Sequence, residues 1–117
     1  MIYGVGSDVC SISRLEQSLS RTPKLSQRLF HENELGLSGQ SLAARFAAKE
    51  AIAKAIGDPR LFSFSEIEIT KNSAGKPEVK FHHKTKERIQ NLGNLNFHLS
   101  LSHDAGIALA TVVVESK

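Results

Sequence analysis

RFAAKEAIAKAIG, residues 45–57, governs the reading of the whole chain. As a helix from Arg45 to Ile56 it carries apolar Phe46, Ala47, Ala48, Ala51, Ile52, Ala53, Ala55 and Ile56. Every other residue in it is charged: Arg45, Lys49, Glu50 and Lys54. At about 100° per residue these charges do not gather on one solvent face. Arg45 and Lys49 share a side with Ile52 and Ile56, while Glu50 and Lys54 lie on the opposite half. A small-residue helix that is apolar nearly all round packs against other elements. Charges on it are costly unless they meet each other, a metal or a ligand. Three cations and a single carboxylate between Arg45 and Lys54 suit a site for phosphate and a metal ion. The same pattern also fits an ordinary helix with two i,i+4 ties, one of them Glu50 to Lys54.

Working outward, Ser41 is expected to cap this helix, Gly57 stands where a C′ glycine belongs, and Pro59 prevents continuation. Asn33 to Gly39 reads as a break. Upstream, Ile2 to Val9 reads as a strand with Gly4 and Gly6 in it and Asp8 near its end. Ser13 with Glu16 three residues on has the form of a capping box, so a helix is expected from Arg14. Thr22-Pro23 is an N-cap followed by a first-turn proline, predicting a second short helix. Downstream the period changes. Residues 66–69 and 78–81 alternate, and the 72–77 turn NSAGKP between them makes a hairpin. His83 to Leu92 reads as a helix closed by Gly93. Phe97 to Ser102 alternates again, and Ile107 to Val114 is rich in β-branched residues and alanine. The expected architecture is α+β, a mainly antiparallel sheet packed against a long apolar helix, in one domain over residues 1–117.

The chain of 117 residues is 40% hydrophobic and 23% charged, within the range of a soluble globular protein. A core of this size is marginal, which makes self-association plausible. The single Cys10 excludes an internal disulfide and a multi-cysteine zinc site. Cys10 has no basic neighbour to activate it and reads as core. No apolar run approaches a membrane span and no signal peptide is visible, so a cytoplasmic location is expected. The net charge of +3 favours an acidic partner or a phosphorylated ligand. With no Trp, a single Tyr and no basic run interleaved with aromatics, nucleic acid is not the expected partner. Arg14, Arg21, Lys24 and Arg28 face only one acid between them, Glu16, and form a local basic patch.

Three further features could carry chemistry. Asp8 ends a glycine-bearing strand; alone it reads as a turn residue, but paired in space with Glu50 it would offer oxygen ligands to a hard cation such as magnesium. GVGSD lacks the third glycine of a dinucleotide fingerprint. His103 stands in SLSH beside Ser100 and Ser102, as a structural loop histidine or a phosphate contact. His82-His83 is a poor chelate, because neighbours on a strand face opposite ways.

GVGSDVCSISRLE, ARFAAKEAIAKAIG, LSLSHDAGIALATVVVE and the turn NSAGKPEV, in that order and spacing, resemble a bacterial holo-[acyl-carrier-protein] synthase of the short 4′-phosphopantetheinyl transferase type. The resemblance spans almost the whole chain. It implies transfer of the phosphopantetheine arm of coenzyme A to a serine of apo acyl carrier protein, releasing adenosine 3′,5′-bisphosphate, in the service of fatty acid biosynthesis. It implies Mg2+ on Asp8 and Glu50, with Lys49 and Glu50 catalytic. Arg45, Lys49, Lys54, Gly75, Lys76, Pro77, Ser102 and His103 then contact coenzyme A, and Arg14, Arg21, Lys24 and Arg28 dock the acidic carrier protein. It further implies homotrimers with active sites between subunits. A metal-bound water, Glu34 or Glu50 could take the acceptor's proton. The chain departs from the family at Ser7, where a larger apolar residue is usual and packing could loosen, and in a short 34–42 segment. A basic module binding an acidic protein or RNA without catalysis, and a different phosphotransferase, are the competing readings.

Overall fold

A computed structural model describes residues 1–117. The chain runs β1 (Ile2–Ser11), α1 (Ile12–Arg21), α2 (Leu25–Leu29), α3 (Gly39–Ile56), β2 (Ile67–Lys71), β3 (Pro77–Phe81), α4 (His83–Gln90), β4 (Leu95–Asp104) and β5 (Ile107–Ser116). β1, β5 and β4 form an antiparallel sheet in that order, and β2 pairs with β3 in a separate hairpin. β4 returns into β5 through Ala105-Gly106, both left-handed at φ 52° and 76°. Two consecutive positive φ values are what a type I′ hairpin turn requires, and its twist matches the flanking strands.

The long helix forms as expected and ends at Gly57, but it begins a turn earlier than the sequence suggested. Ser38, not Ser41, is the N-cap, its hydroxyl accepting from the Ser41 amide at 3.2 Å. Likewise Ser11 rather than Ser13 caps α1, accepting from the Arg14 amide. Thr22 caps nothing: α2 begins at Leu25 behind Lys24, with no side-chain cap. The break before α3 contains a one-turn 3-10 helix, Glu32–Glu34. α4 closes at Gln90, and Gly93 follows a turn later.

α3 crosses the inner face of the sheet. Its alanines pack with Ile52, Ala108, Ala110, Val112 and Val114 in one core cluster. Residues 4, 6, 8 and 10 of β1 face this helix, while Tyr3, Val5, Ser7 and Val9 face outward and are exposed. Gly4 and Gly6 set the separation. A Cβ on Gly4 would strike the carbonyl of Ala55, and one on Gly6 the carbonyl of Ala51. Strand and helix are therefore in backbone-to-backbone contact, and two residues of strand keep step with one helical turn. Gly6→Ala should cost about 1–3 kcal/mol or more, because the clash is with peptide atoms that cannot rotate away. Urea unfolding checks this, with outward-facing Ser7→Ala expected near wild type. Ser7 itself loosens no packing within the chain, since its side chain lies on the exposed face.

Candidate functional site

The glycine steps carry on to Asp8. Gly4 lies over Ala55 and Gly6 over Ala51, and Asp8, the next inward residue of β1, lies on the same face, within reach of Lys54 and of the charge of Glu50. The two carboxyl groups feel each other. Partial burial pushes the Glu50 carboxyl above its ordinary value, the charge of Asp8 pushes it further, and Lys54 pulls it back. Lys54 donates to Asp8 Oδ1 at 2.8 Å and to the Ser7 carbonyl at 3.1 Å. It reaches Asp8 across to the strand rather than forming the i,i+4 tie to Glu50. Cys10, the next inward residue, is buried as expected. Burial, then Asp8 and Glu50, raise its thiol above the usual range.

Two carboxylates with one ammonium leave a local negative surplus in a partly desolvated setting. Hard oxygen donors near enough to feel each other's charge, with that charge unbalanced, fit Mg2+.

Lys49 behaves differently from expectation. Its Nζ is fully buried and donates to the Leu29 carbonyl at 2.9 Å, the Phe64 carbonyl at 3.0 Å and Glu34 Oε1. The Phe30 ring lies 5.1 Å away. Three donors with three acceptors leave none for a coenzyme A phosphate. Burial lowers the Lys49 pKa, and Glu34 opposes that. Glu34 is equally committed, accepting from the amides of His31 and Ile69 at 2.8 and 2.9 Å as well. It is 1% exposed, which removes it from the candidates for general base. Lys49 and Glu34 are structural; the ion pair was not visible in the sequence.

The remaining expected residues fall in three places. Arg45 is mostly buried, donating to the Ile69 and Ser41 carbonyls, and it lines a groove with Gln40, Lys71, Ser102 and His103. The His103 Nε2 and Gln40 Nε2 atoms are 2.7 Å apart, a partner for His103 that the sequence did not suggest. Lys76 and Pro77, beside the exposed hairpin turn at Gly75, line a separate groove with Phe81, Lys86, Phe97 and His98. The hairpin joins the two groups, Lys71 of the first pairing with Pro77 of the second. Arg14, Arg21, Lys24 and Arg28 are all exposed, on or between α1 and α2. Next to the Lys49–Glu34 pair, whose Glu34 accepts from the His31 amide, His31, Glu68 and His82 form a cluster capable of coordinating a metal ion.

The comparison with known proteins decides the family: residues 4–112 match the 4′-phosphopantetheinyl transferase superfamily. The chain belongs to that superfamily. Within it, the similarity is to the bacterial holo-[acyl-carrier-protein] synthases. The one from Streptomyces griseus is 47% identical over 121 residues, covering 98% of this chain and 99% of that protein. The crystal structure of the Neisseria meningitidis holo-[acyl-carrier-protein] synthase superposes with a TM-score of 0.91 at 34% identity, over 99% of this chain and 100% of that one. A Bacillus anthracis holo-(acyl-carrier-protein) synthase, solved in complex with CoA (3′,5′-ADP), gives 0.82 at 35% identity, covering 100% and 99%. The antiparallel α+β fold expected from the sequence is the fold of this transferase superfamily. No helix is long and apolar enough to cross a membrane.

Proposed function

We propose that this chain is a holo-[acyl-carrier-protein] synthase, moving the 4′-phosphopantetheine arm of coenzyme A to a serine of apo acyl carrier protein and releasing adenosine 3′,5′-bisphosphate. The observation that carries this, within the family, is the convergence of Asp8, Glu50 and Lys54 where the glycines press β1 onto α3. Asp8 and Glu50 would hold Mg2+, which when bound offsets charge on the pyrophosphate and on the leaving bisphosphate. Lys54 adds a fixed cation at the same point, most effective where charge develops as the P–O bond breaks. The proton of the acceptor serine would pass to a metal-bound water or to Glu50 itself. The nucleophile comes from the acceptor, so the chain needs none of its own, and the buried thiol of Cys10 has no part in the chemistry.

Arg45, Ser102 and His103 line the groove assigned to the nucleotide phosphates. Gly75, Lys76 and Pro77, at the end of the hairpin where Pro77 pairs with Lys71 of that groove, would contact the same coenzyme A. A homotrimer with sites between subunits is supported by the outer sheet face. There Tyr3, Val5, Val9, Ile107 and Leu109 leave large apolar side chains exposed. An apolar groove lined by Cys10, Leu15, Leu25, Leu29 and Phe46 opens beside α1 and α2. Its rim residue Arg14 belongs to the basic patch of Arg14, Arg21, Lys24 and Arg28, which docks the acidic carrier. Residues 1–117 act as one domain, working in the cytoplasm.

Intact-mass spectrometry of apo acyl carrier protein with coenzyme A and Mg2+ tests the assignment: a gain of one phosphopantetheine arm, abolished by EDTA, is expected. A folded protein giving no gain with a competent carrier would favour the basic binding module. Arg14→Glu should raise KM for the carrier more than KM for coenzyme A and flatten the salt dependence. Equal effects on both substrates would move the docking face elsewhere.

A further inference from the structure

We propose that His31, Glu68 and His82 form a second metal site, selective for zinc-class divalent ions and separate from the Asp8–Glu50 pair. His82 Nε2 lies 2.9 Å and His31 Nδ1 4.0 Å from Glu68 Oε1, and all three ligand atoms fall within 4.8 Å of one another. Nitrogen and oxygen ligands at 2.0–2.1 Å around a tetrahedral ion stand about 3.4 Å apart. The two distances to Glu68 bracket that value, so small side-chain rotations bring the set onto one ion. Two imidazoles and a carboxylate select zinc, cobalt or nickel over magnesium, which prefers an all-oxygen shell.

The surroundings are arranged for ligation. Glu68 is 8% exposed, and Asn33 Nδ2 donates to its Oε2 at 3.1 Å, leaving Oε1 directed at both rings. Outer hydrogen bonds of this kind orient metal-binding carboxylates. The Asn33 amide donates to His31 Nδ1, so that nitrogen carries a lone pair and the proton sits on Nε2. Metal binding exchanges this hydrogen bond, and the one between His82 and Glu68, for two metal bonds. The rings are stacked, centroids 4.5 Å apart and planes 24° apart, so the His31 ring must turn to bring its lone pair onto the ion. His82 is partly exposed and gives the ion access and room for water. The adjacent His83 is not one of the three ligands, its ring centroid lying 6.3 Å from that of His82, so the chelate is built across the fold and not from sequence neighbours.

The ion would tie three segments together: the 3-10 turn that carries Glu34, strand β2, and the end of β3. This inference does not depend on the proposed reaction. Isothermal titration of the purified protein with zinc chloride, in excess Mg2+, should show one ion per chain and a raised Tm. His82→Ala and His31→Ala should each weaken binding at least tenfold, since loss of outer-shell partners alone costs about 10–100-fold. Asn33→Ala, which leaves all three ligands in place, should weaken it less, while Asp8→Asn should leave it unchanged. Cobalt in place of zinc should give a visible absorption band that His82→Ala removes. Absence of zinc binding, binding indifferent to both histidines, or equal loss in Asp8→Asn would overturn the proposal. If His82→Ala fails to fold, the Asn33→Ala titration and its cobalt spectrum decide the matter, and an unchanged affinity there counts against the site.

Discussion

Asp8→Asn and Glu50→Gln are each expected to lose about a thousandfold or more in turnover while remaining folded. The size follows from the several kcal/mol of charge stabilisation a metal supplies, at about 1.4 kcal/mol per factor of ten. Retained folding follows from the electrostatics. The folded-state pKa of Glu50 is raised by burial and by Asp8, so the ionised carboxylate is disfavoured in the native protein. Folding takes up a proton there: Glu50 costs nothing below its unfolded pKa, and its penalty grows as pH rises through the folded value. A neutral Gln removes that penalty, so without metal the Glu50→Gln Tm should equal or exceed that of wild type at neutral pH. The same sign gives a pH dependence. As pH falls through the raised Glu50 value, protons compete with Mg2+, and the magnesium needed for half-maximal rate should climb before an ordinary carboxylate would titrate. Carrier-protein mass shifts and thermal unfolding in EDTA measure both. Wild-type turnover by either variant at saturating Mg2+ would remove these residues from the metal site.

Glu34→Ala should do the reverse, damaging the fold first. It strands the buried Lys49 ammonium and leaves the His31 and Ile69 amides without their acceptor. Breaking one side of a buried pair costs about 3–5 kcal/mol, which for a domain of this size lowers Tm by roughly 10–25 °C. Lys49→Met should cost a similar amount by freeing the Leu29 and Phe64 carbonyls. The double variant should cost clearly less than the sum, as interacting neighbours do. Calorimetry or denaturant titration of the four proteins supplies the cycle. A Lys49→Met protein of native stability with a selectively raised KM for coenzyme A would return Lys49 to the ligand.

The contrast shows what local pattern can and cannot carry. Period, glycines and prolines announced every strand and the long helix, because those signals act between near neighbours. The charge distribution on α3 was also legible: Arg45 and Lys49 do lie on one side, Glu50 and Lys54 on the other. What Lys49 meets was not legible. Its partner Glu34 sits in a stretch with no period, and Glu34's other contacts come from β2 and from the loop after α2. The helix caps slipped for a related reason. Two serines were available near each start, and the path of the chain leaving β1, or leaving the 32–34 turn, chose between them. The resemblance supplied Asp8 and Glu50 as a pair; the step of glycines along β1 supplies the reason they meet.

That step has an evolutionary consequence. Where side chains fill the gap between two elements, a series of substitutions can tune the gap in small increments. Here the gap is closed by peptide atoms, and glycine is already the smallest residue. No replacement at positions 4 or 6 can narrow it, and the least change available inserts a whole methyl group. The spacing of the two carboxylates is thus held at one end of its range. Adaptation to a larger ion, or to a bulkier phosphate donor, has to proceed through Lys54 and the groove residues, leaving strand and helix as they are.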